Sequence, residues 1–204
     1  MENAFLNIEI RIEKLQKQYV YKVYYSDEKC IEPIQCAEGR VASESIIQKK
    51  DIPETLFNEK RELIQYGKEF DLYESGEIIY GPYFQVITKL LYNKDLVYAC
   101  IKENEEYSES MCNAYSGLID GMLQTVKPFV IERDTNNTYL PYLVEKFSVY
   151  SDLSKCAAVY TYPDTKSEFK YNIILVDEKN TSRNQCFYSK KNLGRKNRRF
   201  SLFL

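Results

Sequence analysis

Residues 6–13 alternate apolar and polar positions without a break. Leu6, Ile8, Ile10 and Ile12 point one way, and Asn7, Glu9, Arg11 and Glu13 the other. That is the period of a half-buried strand. "QYVYKVYYS" follows after a short polar turn and reads as its antiparallel partner. "IQCAEGRVASES" reads as a third strand ending near Ser43. A meander of this kind needs something over its apolar face, and residues 1–45 hold no long apolar helix to supply it. The expectation is an uncovered apolar face, which promotes association, with a homodimer as the simplest product.

Residues 47–76 are polar and carry Pro53. They predict a linker across a surface, with at most short helical turns. "FQVITKLLYN" and "DLVYACIKEN" are two strand-like runs joined at Asn93-Lys94-Asp95, a hairpin turn. After a loop, "EEYSESMCNAYSG", the period changes. In "SGLIDGMLQTVKPF" Leu118, Met122 and Thr125 or Val126 share a helix face, with Ser116 as N-cap and Pro128 as terminator. "YLPYLVEKFSVYS", "KCAAVYTYP" and "EFKYNIILVDEK" give three more strands. Strand, strand, helix and three strands predict an α+β arrangement, an antiparallel sheet curved around one apolar helix.

Composition narrows the chemistry. Of 204 residues, 44% are hydrophobic and 28% charged, the balance of a globular chain. No apolar run approaches the roughly 20 residues of a membrane helix, and the N-terminus lacks a basic start followed by an apolar block. No membrane association is expected, and the expected location is cytoplasmic. The six cysteines form no CxxC pair, so they read as reduced thiols and not as a metal site. A net charge of −2 gives no reason to expect a nucleic-acid partner. The basic stretch "KKNLGRKNRRF" reads as a solvated tail. Histidine is absent, which excludes Ser-His-Asp and Cys-His mechanisms within this chain and removes the commonest neutral-pH base.

Several motifs in order carry a resemblance. Tyr80-Gly81-Pro82-Tyr83-Phe84-Gln85 looks like a YGPxFQ motif, and Leu118-Ile119-Asp120-Gly121-Met122-Leu123-Gln124 looks like an LLDxxxQ segment. "YLPYLVEKFSVYSDL" resembles the strand that follows such a helix, and "IEIRIEKL … CAEGRVASES" the strands that precede the linker. Together they resemble a dehydratase domain of a modular polyketide synthase. The resemblance implies a double hot-dog fold, in which two sheets each wrap a helix. Residues 1–46 would be the remaining strands of the first hot dog, 47–76 the linker and 77–204 the second hot dog. The family's catalytic histidine and first helix would precede Met1, so the resemblance implies a chain lacking the front portion. Tyr115-Ser116 stands where the family commonly has His-Pro, and the C-terminal stretch departs from the usual final strand.

The resemblance also implies a reaction: dehydration of a β-hydroxyacyl thioester carried on the phosphopantetheine of an acyl carrier protein, with no further cofactor and no metal. Asp120 would be the acid and Gln124, four residues on, would orient it. An aspartate donates a proton near neutrality only when its pKa is raised, and an apolar surrounding does that. Tyr80, Gly81, Pro82 and Leu118 would border the substrate. Pro82 would fix the turn, and Gly81 would let backbone approach the substrate. Other synthase domains and the carrier protein are the implied partners. The alternative is a non-catalytic hot-dog module that packs or docks within a synthase. A double-bond isomerase is disfavoured by Asp120, which such relatives tend to lose.

Overall fold

The computed structural model describes residues 7–27, 32–42, 54–73, 78–102, 115–132, 141–149, 153–167, 169–177, 183–190 and 202–203. Leu6, most of the loop through Cys112 and the basic stretch after Lys190 lie outside these residues.

The meander is present. β1 (Asn7–Leu15) and β2 (Gln18–Ser26) pair antiparallel from Asn7↔Ser26 to Leu15↔Gln18. β3 (Ile34–Ala42) pairs with β2 across a bulge between Val23 and Tyr24. Isoleucines 8, 10 and 12 are 65%, 60% and 68% exposed, so the expected uncovered face is there.

Residues 54–66 depart from the expected linker. They form a full helix, α1 (Glu54–Tyr66), with Leu56 and Leu63 buried. Seven residues apart, these two leucines share a helix face. They pack on Leu91, Leu96, Ala158, Tyr160, Ile174 and Val176. A polar composition hid a helix that needs only one narrow apolar stripe. Gly67 closes it: its N–H donates to Leu63 O at 2.7 Å, and a Cβ there would lie 2.4 Å from that oxygen. β4 (Lys68–Glu69) then pairs with β5 (Ile87–Tyr92).

β5 and β6 (Val97–Ile101) form the expected hairpin. Asn93 Oδ1 accepts the N–H groups of Asp95 and Leu96 at 2.9 and 2.7 Å, which fixes the turn. Helix α2 (Ser116–Gln124) follows. It ends before Pro128 and is not terminated by it. Thr125 Oγ1 donates to Met122 O at 2.6 Å and so must accept from Thr161 Oγ1, 2.5 Å away. Pro128 instead sits in the first turn of α3 (Lys127–Ile131), where its missing N–H costs nothing.

β7 (Pro141–Val149), β8 (Cys156–Pro163) and β9 (Lys170–Asp177) are the three expected strands. A further strand, β10 (Arg183–Lys190), runs antiparallel between β7 and β9, and its sequence was not read as a strand. β11 (Leu202–Phe203) bridges β3 and β7. The sheet order is β1-β2-β3-β11-β7-β10-β9-β8-β6-β5-β4. From β7 to β4 every described pairing is antiparallel. One face of that part wraps α2 and α3: Leu118, Met122, Phe129 and Val130 pack with Ile87, Val97, Val159, Ile173 and Leu175. The other carries α1. β9 is therefore covered on both sides, which is why "IILV", residues 173–176, is continuously apolar instead of alternating.

Helix α1 is testable by contrast. Leu63 is 1% exposed and its neighbour Ile64 is 60% exposed. Leu63→Ala is expected to cost about 2–5 kcal/mol, and Ile64→Ala to stay within about 0.5 kcal/mol. Urea unfolding of both variants checks this; equal losses would contradict the packing of α1.

Candidate active site

The site is built where α2 meets the segment before β5. Pro82–Phe84 form one 3₁₀ turn, closed by Phe84 N–H to Gly81 O at 2.9 Å and Gln85 N–H to Pro82 O at 3.2 Å. Gln85 Nε2 donates to Tyr80 O at 2.7 Å. This polar side chain ahead of a strand thus holds the turn's incoming backbone.

Two glycines let α2 press against this turn. A Cβ on Gly117 would lie 2.7 Å from Tyr83 O, and one on Gly121 would lie 2.2 Å from Val86 Cγ2. Tyr83 OH and Ser116 Oγ are 2.8 Å apart, hydrogen-bonded across the same contact. Ser116 is therefore not the N-cap. Tyr115 holds that position, without a side-chain cap.

One helical turn deeper, Gln124 joins helix to loop. Its Nε2 donates to Asp120 Oδ2 at 2.7 Å and to Phe84 O at 3.1 Å. The expected Asp120–Gln124 pair is thus formed, and Gln124 is fixed by backbone from the glycine-proline turn. Gln124 Oε1 is buried with no partner among the described residues.

The phenols of Tyr80 and Tyr73 stand near this carboxyl. Their rings pack edge to face with centroids 6.0 Å apart. Burial raises both phenol pKa values, and the charge of Asp120 raises each further. Tyr73 OH accepts the N–H of Ile87 at 2.9 Å, so its position is set by β5. Tyr73 was missed in the sequence because it lies in the polar stretch read as a linker. Burial pushes the Asp120 carboxyl above its ordinary range, and the Gln124 hydrogen bond pulls it back in part. A carboxyl so placed holds its proton to a higher pH than a solvated aspartate does.

Gly81, Leu118 and Pro82 complete the expected set. Gly81 has φ −64°, and a Cβ there would meet nothing within 4 Å, so the fold itself does not demand glycine. Leu118 is buried in the core and not beside Asp120, since residues two apart on a helix do not share a face. Pro82 opens the 3₁₀ turn as expected.

The raised pKa of Asp120 sets a pH dependence of stability. The folded state holds this proton more tightly than the unfolded chain. Stability from the protonated group is complete below the ordinary value of 3.8 and is lost as pH rises through the higher folded value. Asp120→Asn removes that loss. It is expected to melt higher than wild type at neutral pH, with the gap closing as pH falls from the raised folded value to the ordinary 3.8. Thermal melts across that range test this, and a gap independent of pH would contradict the burial of the carboxyl.

A family model described as "Polyketide synthase dehydratase N-terminal domain" matches residues 61–180, more than half of the chain. Among curated proteins no sequence matches. Solved dehydratase structures share the fold. An inactive histidine-to-phenylalanine mutant of the CurK dehydratase aligns with TM-score 0.73 and 19% identity, over 94% of this chain and 69% of its own. An inactive aspartate-to-asparagine mutant of the same dehydratase gives 0.72 and 20%, over 94% and 69%. A trans-AT polyketide synthase dehydratase domain from Brevibacillus brevis gives 0.71 and 18%, over 89% and 68%. With α2 enclosed by an antiparallel sheet and Asp120 held by Gln124 against the turn at Pro82, this chain belongs to the polyketide synthase dehydratase family.

Proposed function

We propose that this chain supplies the acid half of a dehydratase site. The substrate is a β-hydroxyacyl thioester on the phosphopantetheine of an acyl carrier protein, and the product is the enoyl thioester. One observation carries this reading: Asp120 is raised in pKa by burial, yet is gripped in a fixed orientation by Gln124. A base takes the α-proton, the Cα=Cβ bond forms, and the Cβ–O bond breaks. The Asp120 carboxyl gives its proton to the departing hydroxyl, which leaves as water, and Asp120 becomes a carboxylate. The open side of Gly81 leaves room for a ligand against the turn, and Tyr80 borders the same space. That an aspartate-to-asparagine change accompanies inactivity in the CurK dehydratase supports the acid role.

The base is the missing half. The chain contains no histidine, and a histidine-to-phenylalanine change marks the other inactive CurK dehydratase. A thiol or phenol is a poor base at neutral pH, and Asp120 cannot be both acid and base in one elimination. The chain by itself is therefore inactive. The histidine comes from a segment outside these 204 residues, and β1–β3 belong to a first hot dog beside it. The setting is a cytoplasmic synthase with carrier protein and neighbouring domains as partners. The lack of histidine also favours a second reading, in which the module docks a carrier protein without turnover.

Mass spectrometry of a carrier-bound β-hydroxyacyl substrate separates the two. The chain alone is expected to release no water. Addition of a histidine-bearing dehydratase segment, fused or in trans, is expected to restore dehydration. Asp120→Asn should then lower the rate by about 10²- to 10⁴-fold, and Gln124→Ala by less. Dehydration by the chain alone would refute the assignment of the base, and carrier binding without turnover in the supplemented protein would favour the docking module.

A further inference from the structure

Tyr73 is held on several sides. Its backbone N–H donates to Asp71 Oδ1 at 3.1 Å. Lys127, the first residue of α3, donates through Nζ to the preceding carbonyl, Leu72 O, at 3.2 Å. Leu72 itself is buried in the core around α2. The phenol oxygen of Tyr73 accepts the N–H of Ile87 at 2.9 Å, and its ring lies edge to face on Tyr80. A phenol both accepts and donates. Ile87 uses the acceptor side, so the O–H proton is left over, and no described residue takes it.

That proton belongs to the same corner as the carboxyl. Gln124, which holds Asp120, grips Phe84 O, and Tyr73 grips Ile87 N. From Phe84 to Ile87 the chain spans at most about 10 Å. Both grips therefore share one short stretch, the one against which Gly121 brings α2. On the carboxyl, Gln124 takes Oδ2, and Oδ1 has no hydrogen-bond partner among the described residues. The charge of Asp120 reaches the Tyr73 phenol, yet no hydrogen bond joins the two. An uncommitted donor and an uncommitted carboxyl oxygen thus stand close together with a gap between them.

We infer that Tyr73 is a second donor to the leaving group: its O–H donates a hydrogen bond to the β-hydroxyl oxygen of the substrate, while Asp120 Oδ1 gives that oxygen its proton. This role rests on the acid assignment of Asp120. A hydroxyl oxygen has two lone pairs. Asp120 uses one and Tyr73 the other. As the Cβ–O bond breaks, negative charge gathers on this oxygen, and a donor already in place lowers the barrier. Tyr73 keeps its proton throughout. Asp120 alone loses one, and the hydroxyl leaves as water. Tyr80 is the less suited phenol: it meets Tyr73 through its ring, and no described residue holds its hydroxyl.

The test is ligand binding by the full chain, read by NMR titration with two N-acetylcysteamine thioesters, β-hydroxybutanoyl and butanoyl. Binding is read apart from turnover. Wild type is expected to bind the hydroxy thioester about tenfold tighter than the plain one, and Tyr73→Phe to erase most of that preference while its affinity for the butanoyl thioester stays within about twofold. In wild type, a nuclear Overhauser contact from the ligand's β-carbon proton to the Tyr73 ring is expected, a readout that needs no variant to fold. Absence of the preference or of this contact in wild type overturns the role. So does a preference that survives Tyr73→Phe. Equal losses for both thioesters overturn it too, since they mark Tyr73 as a strut for Ile87 only. A preference erased by Tyr80→Phe and not by Tyr73→Phe moves the donor to Tyr80 and likewise overturns it. Dehydration that survives Asp120→Asn removes the acid assignment and leaves the bond from Tyr73 to the hydroxyl standing, so the two failures are told apart.

Discussion

The close approach of α2 to the turn before β5 is the contact on which the site depends. It exists because positions 117 and 121 carry no Cβ. A side chain at either would collide with Tyr83 O or Val86. With the helix this close, Gln124 reaches both Phe84 O and Asp120. Moved outward by even a methyl group, the helix would lose the backbone bond, and Gln124 would no longer be fixed. The Tyr83–Ser116 hydrogen bond closes the same contact one turn earlier. The glycines in the LIDGMLQ segment thus have a packing reason, and the orientation of the Asp120 carboxyl follows from it.

Two opposing effects meet at Asp120. Burial favours the neutral acid and the amide of Gln124 favours the carboxylate, with burial the larger. Without the amide the carboxyl would hold its proton more firmly, and without burial less firmly. Burial and the charge of Asp120 push both neighbouring phenols up as well, so they ionise less readily than a free tyrosine.

Much of this was legible in the sequence, because the relevant signals are local. The strand at residues 7–13, the Asn93 turn and the Asp120–Gln124 contact each depend on signals within a few residues, and all three form, although the strand read as half-buried is exposed along its whole length. What was not legible depends on distant partners. Helix α1 has only two buried leucines, and its stability comes from Leu91, Tyr160 and Ile174, far along the chain. β10 is polar enough not to read as a strand, yet it fills the gap between β7 and β9. Tyr73 sits among charged residues and gains its place only because its hydroxyl accepts from Ile87. Ser116 looks like an N-cap locally, but its hydroxyl has a better partner in Tyr83.

Burial is also distributed unevenly along the sheet. At β8 and β9 both faces are covered, with Val159, Tyr160, Ile173 and Leu175 fully inside. At β1 neither face nor outer edge is covered by described residues. Among the described residues, only the two-residue strand β11 joins β3 to β7 in the sheet, so the meander adds little to the enclosure of α2. Opening energies in such a sheet rise with local burial. The end carrying Asp120 therefore keeps its geometry when the meander frays. The meander and the surroundings of Asp120 are thereby separable parts of one sheet.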